Sequence, residues 1–187
     1  MKIKICGLSR ECDIDYVNEA LPDYAGFVFA ESRRKVSADQ AYALKRRLDP
    51  AITAVGVFVD QDITFISELL KSGIIDIAQL HGQEDDEFIS SVGAPVIKAV
   101  RTGEKFDYSS DYLLFDSPSA GSGKTFDWGL IPNTEKPFFL AGGINIGNIS
   151  AAMETAPYAI DVSSGVETGG VKDRDKILEI VRSVRNG

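Results

Sequence analysis

The stretch TAVGVFVDQDITFISELLKSGIIDIAQL, residues 53–80, contains one complete strand–helix–strand unit. Residues 53–59 and 77–80 are short apolar runs rich in β-branched side chains, which is typical of strands buried on both faces. Between them, residues 63–70 place their isoleucines and leucines at the spacing of a helix with one apolar face. This order predicts two parallel strands joined by a crossover helix.

The same alternation extends from this unit to both ends of the chain. Strands are predicted at 3–6, 26–29, 53–59, 77–80, 96–100, 112–115, 138–141 and 159–162. Helices are predicted at 13–21, 37–48 with Ser37 as N-cap, 63–70, 84–92, 145–153 and 172–184. An open doubly wound sheet is the alternative, but such sheets usually have fewer strands. Eight units therefore predict an α/β fold, a closed (β/α)₈ TIM barrel.

The length indicates that this barrel is compact. The chain has 187 residues, so each unit averages about 23 residues, against roughly 30 in a typical barrel. Residues 101–111 look irregular, and residues 128–131 give at most one helical turn. No linker-like segment divides the chain. We therefore expect a single domain over residues 1–187, with reduced helices around strands five and six.

Composition excludes several classes of function. The net charge of −8 argues against nucleic acid or an anionic membrane as a partner. No apolar run approaches the roughly 20 residues of a membrane span, and the N-terminus lacks a signal-peptide pattern, so a cytoplasmic location is expected. Cys6, Cys12 and the single histidine, His81, do not have the spacing of a disulfide framework or a zinc site. No metal is expected.

Glycines follow the last two predicted strands. In a parallel barrel the functional site forms at the carboxyl ends of the strands, often with phosphate bound after strands seven and eight. Gly142 and Gly143 lead into Asn145 at an expected helix start, and Ser164 and Gly165 follow strand eight. Backbone N–H groups at such loops can approach an anion closely. Phosphate binding is favoured over the alternative, two tight turns that merely require glycine.

Cys6 ends the first predicted strand. Alternation places Lys4 and Cys6 on the inward face of the barrel, with Ile3 and Ile5 facing the helices. A lysine ammonium beside the thiol would favour the thiolate, which can act as a base or a nucleophile. The alternative is a small buried apolar side chain.

Two further segments carry charged candidates. Asp127, between two aromatic residues, is either a carboxylic acid with a raised pKa or the N-cap of a short helix. Arg34 or its neighbour Arg33 could pair with an anionic substrate, although solvated surface arginines are the more common case.

The loop at 119–125 matches a nucleotide-binding P-loop only in part, because Pro118 stands where that motif has its first glycine. A mobile lid that carries Lys124 is favoured over nucleotide binding, with an ordinary solvated loop as the alternative.

Together these motifs resemble the phosphoribosylanthranilate isomerase family over essentially the whole chain. They are Lys4-Ile-Cys-Gly7, Gly26-Phe-Val-Phe29 with Ser32-Arg-Arg34, Val55-Gly-Val-Phe-Val59, Gln79-Leu-His-Gly82, Val96-Ile-Lys98, Gly121-Ser-Gly-Lys-Thr-Phe-Asp-Trp128, Ala141-Gly-Gly143 and Asp161-Val-Ser-Ser-Gly-Val-Glu167. The irregular segment between strands five and six departs from the family, whose members usually have a helix there.

The resemblance implies a barrel enzyme without metal or organic cofactor that carries out an Amadori rearrangement of N-(5-phosphoribosyl)anthranilate in tryptophan biosynthesis. By the family pattern Asp127 is the general acid and Cys6 the general base. The substrate-binding residues implied are Arg34, His81, Lys4 and Asp161. The phosphate-binding residues implied are Gly142, Gly143, Ser164 and Gly165.

Because this substrate is an anion, the barrel mouth should be positive, through Lys4, Arg34, Lys124 and backbone amides. The expected partner is a phosphorylated aminosugar, with neither nucleic acid nor membrane. A monomer is expected, with a homodimer as the alternative. A metal-dependent pentose-phosphate epimerase is disfavoured by the single histidine, and a bifunctional histidine/tryptophan isomerase by Cys6, where those enzymes have an aspartate. A non-catalytic phosphosugar-binding barrel stays open.

Overall fold

Eight parallel strands close into a barrel in the computed structural model of the chain. The structure describes residues 1–101, 106–117, 125 and 127–187. The strands are β1 (Lys2–Cys6), β2 (Tyr24–Val28), β3 (Thr53–Phe58), β4 (Ile77–Leu80), β5 (Val96–Arg101), β6 (Tyr112–Asp116), β7 (Phe138–Leu140) and β8 (Ala159–Val162). Each pairs in parallel with its neighbour in sequence, and pairing of β1 with β8 closes the ring. The predicted (β/α)₈ barrel is confirmed.

Helices follow most of the strands. Those within the described residues are α1 (Glu11–Ala20), α2 (Ala38–Lys45), α3 (Ile63–Lys71), α4 (Asp86–Ser91), α5 (Ile149–Glu154) and α6 (Arg174–Asn186). Polar side chains begin several of them: Ser37, Asp62 and Asp85 each accept a hydrogen bond from a backbone N–H group in the first turn. Such caps satisfy donors that have no partner inside the helix. The predicted cap at Ser37 is confirmed.

Alternation along β1 sets which side chains reach the interior. Ile3 and Ile5 are fully buried in the apolar layer that also contains Ile14 of α1. Lys4 turns the other way and pairs with a carboxylate of β8, while Cys6 reaches the cavity at the end of the strand. The two inward and two outward positions follow the predicted period of two.

Aromatic side chains fill the end of the barrel where the strands begin. Tyr24 and Tyr112 start β2 and β6, and both pack edge-on against Phe139. The hydroxyl groups of Tyr24 and Tyr158 lie 3.1 Å apart, within hydrogen-bonding distance. This packed floor leaves the opposite end, where the strands finish, for the functional site.

Three helices begin later than the sequence pattern predicted. The helix expected from residue 84 begins at Asp86, because Asp85 caps it. The helix expected from Lys172 begins at Arg174, because Asp173 caps it and Lys172 belongs to a small antiparallel ribbon, β9 (Glu167–Thr168) and β10 (Val171–Lys172). Gly169 and Gly170, with φ of +60° and +84°, make the two-residue turn of this ribbon.

The helix expected from Asn145 begins at Ile149. Before it, the Asn148 side chain accepts a hydrogen bond from the Asn145 N–H group, and Asn145 in turn accepts one from Gly147. These local bonds hold residues 145–148 in a turn.

The wall around β5 and β6 is reduced, as predicted. Residues 106–111 before β6 contain no helix, and the described residues between β6 and β7 form only a 3₁₀ helix, Trp128–Leu130. Residues 102–105 lie outside the described part of the chain. Within the described ranges, no helix is both long and apolar enough to cross a lipid bilayer.

Candidate active site

A cavity of about 240 Å³ lies at the carboxyl ends of the barrel strands. The predicted site residues that line it are Cys6, His81, Gly142, Gly143, Asp161 and Ser164. They come from β1, β4, β7 and β8 and the loops after them, so residues up to 158 positions apart in sequence share one wall. The expected location of the site at this end of the barrel agrees with the structure.

Lys4 lies below the cavity rather than on its wall. Its side chain is fully buried, and its Nζ lies 2.8 Å from Oδ2 of Asp161. Burial opposes the charge of Lys4, but Asp161 and Cys6 raise its pKa above the ordinary value, so Lys4 stays protonated. The other oxygen of Asp161, Oδ1, is buried and has no hydrogen-bond partner among the described residues.

Lys4 favours the Cys6 thiolate, as expected, but the pKa of the thiol is not lowered overall. Burial raises the pKa of the Cys6 thiol, Lys4 lowers it and Asp161 raises it again, and the pKa is raised overall. Burial disfavours the thiolate more than the neighbouring ammonium favours it, because Asp161 already neutralises that ammonium. Lys172, a further cation near the thiol, also lowers the pKa of Cys6.

Arg34 is not among the residues that line the cavity, and it forms a bidentate ion pair with Glu167. Arg34 Nε is 2.7 Å from Glu167 Oε1, and Arg34 Nη2 is 3.0 Å from Oε2. Glu167 also accepts from Lys172 Nζ at 2.7 Å and from the exposed Arg33 at 3.0 Å. Burial alone would raise the pKa of Glu167, but the hydrogen bonds from Arg34 and Lys172 lower it, so the carboxylate is charged. Two hydrogen bonds to one carboxylate thus fix the orientation of the Arg34 guanidinium, whereas the exposed Arg33 makes a single bond to it.

His81 belongs to a polar chain across the cavity wall. The Nε2 atom of Gln79 lies 3.2 Å from Nδ1 of His81, and Nε2 of His81 lies 3.4 Å from Oδ2 of Asp116. With the Gln79 amide as donor, Nδ1 accepts and the imidazole proton sits on Nε2, facing Asp116. The carbonyl oxygen Oε1 of Gln79 has no partner among the described residues.

The loops after β7 and β8 touch each other. Gly142 and Gly143 have φ of +86° and +66°. A Cβ atom on Gly165 would lie only 1.9 Å from the carbonyl oxygen of Ile144. Among the described residues, no group accepts a hydrogen bond from the backbone N–H of Gly142, Gly143, Ser164 or Gly165. Glycine is therefore required for contact between the loops, and the unpaired N–H groups can serve an anion.

Asp127 caps the 3₁₀ helix and is exposed. Its Oδ1 accepts a hydrogen bond from the Gly129 N–H group at 2.9 Å. The N-cap interpretation of this residue is confirmed. The predicted lid falls mostly at 118–124, with Lys124, and lies outside the described residues.

The expected positive mouth also needs correction. Lys4 and Arg34 are each paired with a carboxylate, and Glu31 and Asp116 add acidic side chains to the cavity lining. The reason is that sequence counts charges without showing which of them are paired. The groups that can still attract an anion are the unpaired backbone N–H groups and the three cations that share the one carboxylate of Glu167.

Sequence reasoning did not assign roles to Gln79, Asp116, Glu167 or Lys172. Two of them had a usable signal: Gln79 precedes His81 by two residues in β4, on the same inward face, and Asp116 ends β6. Glu167 and Lys172 had none, because their importance depends on the ribbon that folds them back over β8.

The chain is similar to known proteins over its full length. The family model described as N-(5'phosphoribosyl)anthranilate (PRA) isomerase matches residues 3–183. The N-(5'-phosphoribosyl)anthranilate isomerase of Endomicrobium trichonymphae is 48% identical over 198 residues, covering 99% of this chain and 98% of the relative. The crystal structure of phosphoribosyl anthranilate isomerase from Thermus thermophilus has a TM-score of 0.91 and 33% identity, covering 100% of this chain and 99% of that one.

Another similar structure, phosphoribosyl anthranilate isomerase in complex with reduced 1-(o-carboxyphenylamino)-1-deoxyribulose 5-phosphate, has a TM-score of 0.85. It is 29% identical and covers 100% of both chains. The family model thus matches nearly the whole chain, and close to half of the aligned residues are identical in a relative that is covered almost completely. The chain belongs to the N-(5'-phosphoribosyl)anthranilate isomerase family.

Proposed function

We propose that the chain catalyses the Amadori rearrangement of N-(5-phosphoribosyl)anthranilate to 1-(2-carboxyphenylamino)-1-deoxyribulose 5-phosphate in tryptophan biosynthesis. Membership of the isomerase family supports this activity. The observation that carries it is a buried thiol, Cys6, in the same cavity as two glycine loops with unpaired backbone N–H groups. One end of such a cavity can hold a phosphate while a thiolate at the other takes a proton from carbon.

The reaction needs an acid and a base in sequence. An acid protonates the ring oxygen, so the furanose opens to a protonated Schiff base between C1 and the anthranilate nitrogen. A base then removes the C2 proton, and the resulting enolamine gains a proton at C1 as C2 becomes a ketone. We assign the acid to Asp127 and the base to Cys6. Because the pKa of the Cys6 thiol is raised, forming the thiolate adds to the barrier of the proton-removal step.

The substrate phosphate is assigned to the backbone of Gly142, Gly143, Ser164 and Gly165. Support comes from the contact between the two loops and from N–H groups that no described residue accepts. Ser164, which lines the cavity, also begins a 3₁₀ helix, Ser164–Val166, whose first N–H groups have no partner inside the helix. An anion at this position would complete the hydrogen bonding of both loops.

The remaining contacts are assigned by which atoms lack partners. Asp161 Oδ1 has none among the described residues, so it is suited to accept from a sugar hydroxyl group. His81 lines the same wall. Lys4 is fully buried below Asp161 and acts through that carboxylate. Arg34 is assigned to the anthranilate end of the substrate, or to the reacting sugar.

A turnover assay tests this function directly. Purified protein is expected to consume N-(5-phosphoribosyl)anthranilate, with loss of the anthranilate-type fluorescence and without added metal. A buffer blank and heat-denatured protein serve as controls for any loss of signal that does not require the folded protein. Tight binding of phosphosugars without turnover would contradict the proposal and favour a non-catalytic binding barrel.

We also propose a cytoplasmic location. Cys6 and Cys12 are both free thiols in the structure, which agrees with a reducing compartment.

The Gly165→Ala variant tests the phosphate assignment. The added methyl group would meet the Ile144 carbonyl at 1.9 Å, so the loops after β7 and β8 must separate. Inhibition by inorganic phosphate is expected to weaken by at least about tenfold, with a loss of roughly 1–3 kcal/mol in the free energy of unfolding.

Gly73→Ala is the matched control for this variant. Gly73 has a positive φ, +70°, which Gly165 does not share, but no atom lies within 4 Å of its Cβ position and it is far from the cavity loops in sequence. It should lower stability by about 1 kcal/mol and leave phosphate inhibition unchanged. Unchanged phosphate inhibition in Gly165→Ala would remove these loops from the phosphate site.

A further inference from the structure

Residues 167–172, here called the strap, form a small ribbon after the end of β8. The strap consists of β9, the two-glycine turn and β10. Its first and last side chains, Glu167 and Lys172, are only 5% and 1% exposed, and they pair with each other. Lys172 Nζ also donates to the carbonyl oxygen of Ser163 at 3.0 Å, and its carbonyl accepts from Arg10. The strap is thus anchored to β8 and to the loop after β1.

Glu167 confines Arg34 from one side only. Its two oxygens take Nε and Nη2, the side-on edge of the guanidinium, at 2.7 and 3.0 Å. A guanidinium has five N–H donors in one plane, so Nη1 and the second hydrogen of Nη2 form a further edge. Among the described residues, no acceptor pairs with Nη1 of Arg34.

The stem of Arg34 is confined as well. Its Cδ atom lies 2.4 Å from where a Cβ of Gly7 would be, so a side chain larger than hydrogen at that position would displace it. Its backbone N–H donates to Ser32 Oγ at 3.1 Å. Arg34 is therefore held at two points. Its stem lies against Gly7, directly after β1, and its guanidinium is bound by Glu167 on the strap.

The side chains around Glu167 carry a net positive charge. One carboxylate serves three cationic side chains, Arg34, Lys172 and Arg33. Glu167 therefore orients Arg34 without neutralising the group of cations as a whole. An anionic ligand that reached the free edge of Arg34 would still meet a net positive charge.

We propose that Glu167 is a positioning residue that holds the side-on edge of Arg34, so that only the Nη1/Nη2 edge is presented to the substrate. This inference rests on the proposed function. It adds to that function a residue that does not itself touch the substrate, and it gives the strap a role beyond closing the chain after β8. Because bidentate pairing fixes the plane of a guanidinium, loss of the pair frees Arg34 to rotate.

A double-mutant cycle between Glu167 and Arg34 tests the inference in the turnover assay. Glu167→Gln keeps the shape of the side chain but cannot accept two charge-assisted bonds, and kcat/KM is expected to fall by at least about tenfold. In the Arg34→Ala background the same change is expected to have less than about a twofold effect, because no guanidinium remains to be oriented. A purely structural role of Glu167 predicts equal losses in both backgrounds, and that result would overturn the inference.

Two further variants keep the test decisive. Glu167→Gln leaves Lys172 buried without its charged partner, so the double variant Glu167→Gln/Lys172→Met removes both charges and protects the fold. It should show the same dependence on Arg34. Thr168→Ala removes an exposed strap side chain that bonds only Asp173 among its described contacts, and it should leave kcat/KM within about twofold of the parent.

The two levels of proposal fail in different ways. If the unmodified protein does not turn over the substrate, the proposed function is wrong. If it does, and Glu167→Gln retains its kcat/KM or loses the same factor with and without Arg34, only the positioning role of Glu167 is wrong.

Discussion

Replacing Cys6 by alanine is expected to lower kcat by at least about 10² to 10⁴, with a smaller change in KM. Cys6 is 8% exposed and lines the cavity at the end of β1. Alanine is only one sulfur atom smaller, and the backbone of β1 is held by its pairing with β2 and β8. The fold and substrate binding should therefore survive. What disappears is the group assigned to remove the C2 proton. Steady-state kinetics on the purified variant measure both parameters.

The pH dependence of this activity follows from the environment of the thiol. Burial raises the pKa of Cys6, and the opposing effect of Lys4 does not cancel it. The thiolate fraction at neutral pH is therefore small and grows as the pH rises, so kcat/KM is expected to increase from neutral into the alkaline range. Alkylation of Cys6 by iodoacetamide should follow the same direction, because it also requires the thiolate.

Cys12→Ala is the matched control for Cys6→Ala. Cys12 lies on α1, is half-buried and contributes nothing to the cavity wall. Its removal should leave kcat, KM and the pH profile unchanged. Turnover near the wild-type rate in Cys6→Ala, or a pH profile without the alkaline rise, would exclude Cys6 as the base.

The barrel was predictable because its signals are local. A β-branched run such as 53–59 buries both faces and needs no partner to be recognised as a strand. The inward direction of Lys4 and Cys6 follows from the period of two along β1. The C-terminal ends of the strands then collect polar and glycine residues, which is why six of the ten predicted site residues line one cavity.

The electrostatics were not predictable because the pairs are distant in sequence. Lys4 and Asp161 are separated by 157 positions, and Arg34 and Glu167 by 133. From sequence, Lys4 is a free ammonium beside a thiol, whereas in the structure its charge is neutralised by Asp161. The same pairing turns Arg34 from a free surface cation into an oriented one. A single sequence without pairing information counts these charges but does not show what each one meets.

Helix starts were missed for a related reason. The apolar spacing that predicts α6 starts at Ile177 and does not define the first turn, and the Gly169-Gly170 turn takes the residues before Asp173 into the ribbon. The apolar pattern shows which face of the helix is buried. It does not show that Asp173 caps the helix, so that the ribbon ends and α6 begins there.

The Asp127→Asn variant separates the two interpretations of that residue. Asp127 accepts a hydrogen bond from Gly129 at the start of the 3₁₀ helix Trp128–Leu130. Asparagine is about as good an N-cap as aspartate, so the substitution keeps the cap and removes only the acidic proton. If Asp127 protonates the ring oxygen, kcat is expected to fall by at least about 10²-fold, with the thermal midpoint of unfolding unchanged.

The same substitution at another cap provides the control. Asp62 begins α3, and its side chain accepts a hydrogen bond from the Thr64 N–H group at 2.7 Å, outside the cavity. Asp62→Asn should leave both kcat and stability unaltered, since asparagine preserves that bond as well. If kcat stays within about threefold of the parent, Asp127 acts only as a helix cap. The acid must then be another group around the cavity, and Asp116 beside His81 is the next candidate.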